Sequence, residues 1–330
     1  MQKRVYFSTG LTLLLGIALT GCGPFGGARV VKQLQSYSQN LQSYQSTAQI
    51  TFNEAGGSQQ YDVETWYAAP DRYRIALGND SKEISQIILH NDKGAYLITP
   101  SAKRVMRFQG DWAERQGQLY LYQVLLNDIV NSDPLRYRQD KTTMTFFLKP
   151  VVASPFAATE EVRLNRQTYD PLSLTFLDQQ QKPVLSVRYT SFKKGVTFRQ
   201  NAFSPDQTTT LKALELPVSA SQQGFGVIEP AWIPARDTLQ DEVDKNGVVL
   251  IRYSGSSPFT LIENRPQSGA VDLGRGQLMS LNGLPAVWVG SGFAHQLYWT
   301  NQNVEYTMTS KMNLPDFLHV AASTVDNGGK

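Results

Sequence analysis

Cysteine is nearly absent. The 330-residue chain holds one, Cys22, so no internal disulfide can form and the fold must rest on its apolar core. Histidine is scarce as well. His90, His295 and His319 lie far apart, and without a second thiol they offer no zinc ligand set. Net charge is small: 31 Lys and Arg against 28 Asp and Glu give a formal +3, which supplies no electrostatic reason for nucleic acid as a partner. There is no Gly-x-Ser-x-Gly elbow and no His-Glu-x-x-His pair. Leu273-Gly274-Arg275-Gly276 is a turn with no helical run after it, so it does not read as a phosphate loop. The expectation is a protein without metal or cofactor, and not an enzyme. A long apolar run is also missing. The stretch Leu11–Leu19 is far shorter than the ~20 residues a membrane-spanning helix needs.

What is present begins at that stretch. Lys3 and Arg4 precede it, and Leu19-Thr20-Gly21-Cys22 ends it. Charged, then apolar, then small residues is the order of a secretory signal peptide, here residues 1–21. A Cys after Leu-x-Gly resembles the lipobox of bacterial lipoproteins. The resemblance implies a diacylglyceryl group on the Cys22 thiol, cleavage before it, and a chain held on the outer face of the cell membrane. At about 0.8 kcal/mol per buried methylene, such acyl chains hold a protein firmly on a bilayer. Residues 22–28, rich in Gly and Pro, then read as a short lipidated tether.

From Arg29 to Tyr44, apolar residues recur at steps of three and four: Val30, Leu34, Tyr37, Leu41, Tyr44. That spacing predicts an amphipathic helix. The period then drops to two. Ala48, Ile50 and Phe52 alternate with Thr47, Gln49 and Thr51, and Tyr61, Val63, Thr65 and Tyr67 alternate next. Strands are predicted there and at 73–77, 84–89, 95–99 and 104–108, as an antiparallel meander. Gln118–Val130 returns to helical spacing. Four more strands fall at 142–148, 159–164, 172–177 and 183–192, with a short closing strand at Gly195–Gln200. Residues 206–224, with a Thr run, Pro217 and a Ser/Gln cluster, read as a linker between a domain at 29–205 and a smaller one at 225–330. In the second unit, strands are predicted at 248–253, 259–263, 276–281, 286–289, 295–300 and 304–310. Asn313 is placed to cap a helix that opens at Leu314-Pro315 and runs through Ala322.

The first domain resembles the LolA-like fold of lipoprotein carriers. The resemblance rests on the leading helix and on Trp66-Tyr67-Ala68-Ala69-Pro70-Asp71-Arg72-Tyr73-Arg74. It rests also on the Ile87–Tyr96 strand pair with its Asn91-Asp92-Lys93-Gly94 turn, and on the closing Tyr189–Phe192 and Asn201–Pro205. It implies a mainly β (α+β) chain: an incomplete antiparallel barrel with covering helices. The second unit, a small sheet with a C-terminal helix, is similar to the domain that follows a LolA-like one in sporulation and germination lipoproteins of spore-forming bacteria. That similarity rests on Leu281–Ala286, Leu297-Tyr298-Trp299 and Tyr306–Ser310. The layout also resembles RseB, a periplasmic regulator of an anti-sigma factor.

A LolA-like fold implies an apolar groove under the helices. Trp66, Tyr67, Tyr73, Ile75, Tyr96 and Ile98 are the residues expected to bind a ligand there, with Phe108 close by. The ligand would be an acyl chain or lipid, a peptide, or a partner protein of the cell envelope. The alternative is an envelope sensor that restrains an anti-sigma factor. Between Asp178 and Asp206 the only charged residues are basic: Lys182, Arg188, Lys193, Lys194 and Arg199. They read as a protected sheet edge or a face toward anionic lipid. The adjacent acids Glu160 and Glu161, if on a strand, point to opposite faces and cannot cooperate.

Overall fold

The computed structural model describes residues 25–54, 57–78, 84–109, 117–132, 136–150, 157–206, 227–281, 283–290 and 294–327. The expected signal peptide, Cys22 and nearly all of the expected linker lie outside them. Among the described residues no helix is long and apolar enough to cross a membrane.

The leading helix, α1, spans Phe25–Asn40. It starts earlier than the apolar spacing predicts. Gly26 and Gly27 lie inside it; glycine costs conformational entropy in a helix but is not sterically barred from one. It also ends earlier, because Tyr44 is recruited into a sheet, opposite Tyr67 on one side and Lys194 on the other.

The strands that follow form an antiparallel meander: β1 (Ser43–Glu54), β2 (Gly57–Ala68), β3 (Arg72–Gly78), β4 (Ile84–Asn91), β5 (Gly94–Thr99) and β6 (Arg104–Phe108). A second helix, α2, spans Tyr122–Asn131. Then come β7 (Arg136–Gln139), β8 (Thr143–Leu148), β9 (Thr159–Asn165), β10 (Pro171–Leu177) and β11 (Pro183–Lys194). β11 returns to pair with β1, so the order runs β6-β5-β4-β3-β2-β1-β11-β10-β9-β8-β7. The sheet stays open, and α1 and α2 cover its inner face. This is the mainly β, incomplete barrel that the LolA-like resemblance implies. Gly195–Gln200 is not a strand. Gly195 takes φ +67°, which ends the ladder, and the chain beyond it packs by its side chains instead.

Alternation fixes the faces. Tyr44, Ile50 and Phe52 on β1, Val63 and Tyr67 on β2, and Ile75 and Leu77 on β3 point into the main core with Leu125, Leu126 and Ile129 of α2. The start of α2 has no capping side chain of its own. The Tyr44 hydroxyl substitutes, accepting from the Tyr122 N–H at 2.9 Å. Ser38 joins the two helices, donating to Asn127 at 3.1 Å and accepting from Gln123 at 2.7 Å.

The second unit begins with β12 (Thr238–Lys245), β13 (Val248–Ser254), β14 (Phe259–Asn264) and β15 (Gly269–Asp272). It continues with β16 (Gln277–Leu281), β17 (Leu284–Gly290), β18 (His295–Asn301) and β19 (Val304–Ser310). Its sheet has the order β12-β13-β14-β19-β18-β17-β16. A final helix, α3 (Leu314–Asn327), buries Phe317, Val320 and Ala321 on it. Asn313 does cap α3: its Oδ1 accepts from the Asp316 N–H at 3.0 Å while its Nδ2 donates back to the Asp316 carboxylate at 2.8 Å. That reciprocal pair satisfies an orphan N–H of the first turn.

β15 does not join the second sheet. It pairs in parallel with β6 and becomes the edge of the first one. Arg104 makes a two-pronged contact with Glu305 at 3.0 and 3.1 Å. Gln86 donates to the Thr300 carbonyl at 2.8 Å, and Tyr120 to the Gly283 carbonyl at 3.0 Å. Leu278 and Val287 pack into the first core. Cutting the backbone between residues 207 and 226, at an inserted protease site, should therefore leave two halves that co-elute in size exclusion. Independent elution under native conditions would show that these contacts do not hold the units together.

Candidate functional site

The inner face of β1–β5, roofed by α1 and α2, is the candidate site. Ile75 is wholly buried, and Tyr67 and Tyr73 nearly so. Tyr44 lies between Tyr67 and Phe192, stacked on each with ring centres 5.1 Å apart. Tyr37 of α1 meets Tyr169 edge-on at 5.3 Å. Thr65 donates from this face to the Tyr120 carbonyl at 3.1 Å, just before α2. Roof and wall meet through Tyr122, whose ring lies against Tyr44 and Phe192 and whose hydroxyl donates to the Tyr169 carbonyl, and through Tyr37 on Tyr169.

The six residues expected to bind a ligand divide between two faces of the sheet. Tyr67, Tyr73 and Ile75 lie on the roofed face, together with Phe108. Tyr96 and Ile98 lie on the opposite face, in a separate buried cluster with Ala76, Ile87 and Leu89. Trp66 also faces that way. Its indole donates to Glu64 at 2.8 Å, carries the Arg74 guanidinium 4.7 Å above its ring, and stacks on Phe198 at 5.5 Å. Period two makes the split unavoidable, since Tyr67 and Trp66 are neighbours in one strand. Cys22 lies outside the described residues.

The three histidines each stack on an aromatic ring: His90 on Tyr73, His295 on Trp288, His319 on Trp232. Among the described residues no group of three metal-ligating side chains comes together. The basic stretch is partly engaged. Lys194 pairs with Asp170 at 2.8 Å, and Arg188 donates to Gln49 at 3.1 Å.

Sequence reading passed over one inward acid. On β9, Glu160 shares its face with Val162 and Leu164, all three 0% exposed, while Glu161 points the other way. Desolvation by burial, helped by repulsion from Asp128 on α2, pushes the Glu160 carboxyl up to about 8. Burial raises Asp128 to about 6. In the second unit, burial raises Glu263 to about 7, opposed by the Ile228 N–H donated to it at 3.2 Å. The signal for Glu160 was available: the alternation that places Val162 and Leu164 inward places it inward too.

No family model matches the chain. Among solved structures it is similar to the MucA/MucB complex of Pseudomonas aeruginosa, at 14% identity and TM-score 0.33, covering 90% of this chain and 97% of that one. It is also similar to a putative outer membrane lipoprotein-sorting protein domain from Vibrio parahaemolyticus, at 12% identity and TM-score 0.36, covering 56% and 99%. A third is the Clostridioides difficile CwlD amidase in complex with the GerS lipoprotein, at 13% identity and TM-score 0.31, covering 60% and 100%. By sequence, the chain is similar from end to end to sporulation protein YdcC of Bacillus subtilis, 28% identical over an alignment 339 positions long that covers 100% of this chain and 98% of the relative.

Proposed function

We propose that this chain is a non-enzymatic binding lipoprotein, anchored through Cys22 on the extracytoplasmic face of the cell membrane, that acts in spore or cell-envelope assembly. Its ligand is an acyl chain taken up between the roof helices and the inner face of the sheet. The observation that carries the reading is the open sheet whose apolar inner face, centred on Ile75, is covered by two helices that meet it through apolar side chains and through the Tyr122 ring against Tyr44 and Phe192. Such a cover opens without breaking a backbone ladder. The sporulation role rests on the whole-length similarity to YdcC.

A series of fluorescent fatty acids, titrated into the full chain carrying Cys22→Ala, tests the binding. Each added methylene removed from water is worth about 0.8 kcal/mol, so affinity should rise about fourfold per methylene, at near one-to-one stoichiometry. Ile75→Asp should abolish binding, because it leaves an unpaired charge in the groove; circular dichroism reports whether the variant still folds. Affinity that does not change with chain length would mean the inner face is packed core and nothing more.

A further inference from the structure

Glu160 is an anomaly in an apolar wall. Across the sheet its neighbours are Leu148 on β8 and Phe176 on β10, which carry no charge. It is 0% exposed, and neither of its carboxyl oxygens has a hydrogen-bond partner. Asp128, on the helix above, is close enough to repel it, and the Asp128 Oδ2 is itself buried and without a partner. None of the ion pairs among the described residues includes either acid. Glu160 thus points into apolar surroundings with no cation, and the Asp128 oxygen on the helix above is buried without a partner as well.

An ionised carboxylate left alone in such a place is costly, and two are worse. A cation placed between them reverses the sign. Calcium needs six to eight oxygens and magnesium a full octahedron, more than two side chains supply. A primary ammonium is compact, has three donors, and finds enough acceptors in two carboxyl groups. Leu148, Val162 and Phe176 around Glu160 suit the methylene chain behind it.

We propose that the α2 end of the groove takes a ligand with a primary ammonium group on an apolar chain, held between Glu160 and Asp128. This rests on the groove reading above and adds the head-group chemistry to it.

Dodecylamine, dodecanol and dodecyl sulfate are titrated, below their micelle concentrations, into the full chain carrying Cys22→Ala at pH 7.5. The amine should bind at least tenfold more tightly than the alcohol, and the sulfate more weakly than either. Glu160→Gln should bring the amine to the alcohol's level, while an unchanged circular dichroism spectrum shows that the variant still folds. Asp128→Asn should narrow the gap part of the way. Equal affinity for amine and alcohol, or a preference that survives Glu160→Gln, would overturn the head-group assignment while leaving the groove intact. Binding of none of the three would remove the groove reading and this inference with it.

Discussion

Cys22→Ala should move the whole protein from the membrane fraction to the soluble fraction and abolish incorporation of labelled palmitate. The expectation begins with Leu19-Thr20-Gly21-Cys22 at the end of a short apolar run. Among the described residues no helix is long and apolar enough to cross a membrane. The effect is close to all-or-none, because two acyl chains are worth far more than a patchy basic surface could supply. The position of the anchor also bears on the groove. α1 begins at Phe25, three residues after Cys22, a span of at most about 11 Å. The helix that roofs the inner face would then start within reach of the lipid headgroups, and an acyl chain leaving the bilayer would meet the roof first. Retention of Cys22→Ala in the membrane, with label, would mean the chain is held by something other than this thiol.

The strands with strict alternation were legible in the sequence because one face is buried and the other is not. β1 and β2 show this best. β12 was not legible: Asp241, Glu242 and Asp244 interrupt its pattern, and Leu239 and Val243 are exposed. An edge strand with little to bury leaves little periodicity. β15 is four residues long and pairs with a strand far away in the chain, and no local pattern encodes such a partner. Face assignment was half legible. Alternation separates Tyr67 from Trp66, but only the path of α1 and α2 decides which side is roofed, and that is a long-range property. The helices were located correctly by their apolar stripes and misjudged at their ends, where the competing sheet won Tyr44 and glycine did not stop α1.

Glu160→Gln should raise the melting temperature at pH 8 by about 6–10 °C and leave it nearly unchanged at pH 4. In the unfolded chain this carboxyl loses its proton near 4.5, whereas in the folded protein it holds it up to about 8. Between those values the folded state binds the extra proton, so stability falls as pH rises and the full penalty is present above the folded value. Forced ionisation in place costs on the order of 3–5 kcal/mol, and about 2 °C accompanies each kcal/mol in a chain of this size. Gln keeps the shape and cannot ionise, so the slope it leaves comes from other groups. Glu263, raised to about 7, is one, and it is partly relieved by the Ile228 N–H; Glu263→Gln should give a smaller gain over a lower pH window. Asp128, raised to about 6, contributes in the same direction and loses its like-charged neighbour when Glu160 is replaced. Saturating dodecylamine should flatten the wild-type slope as the substitution does, since a bound ammonium supplies the missing counter-charge. A wild-type melting temperature that stays level from pH 5 to 8, with no gain in Glu160→Gln, would mean that water or a moved helix already solvates this carboxyl.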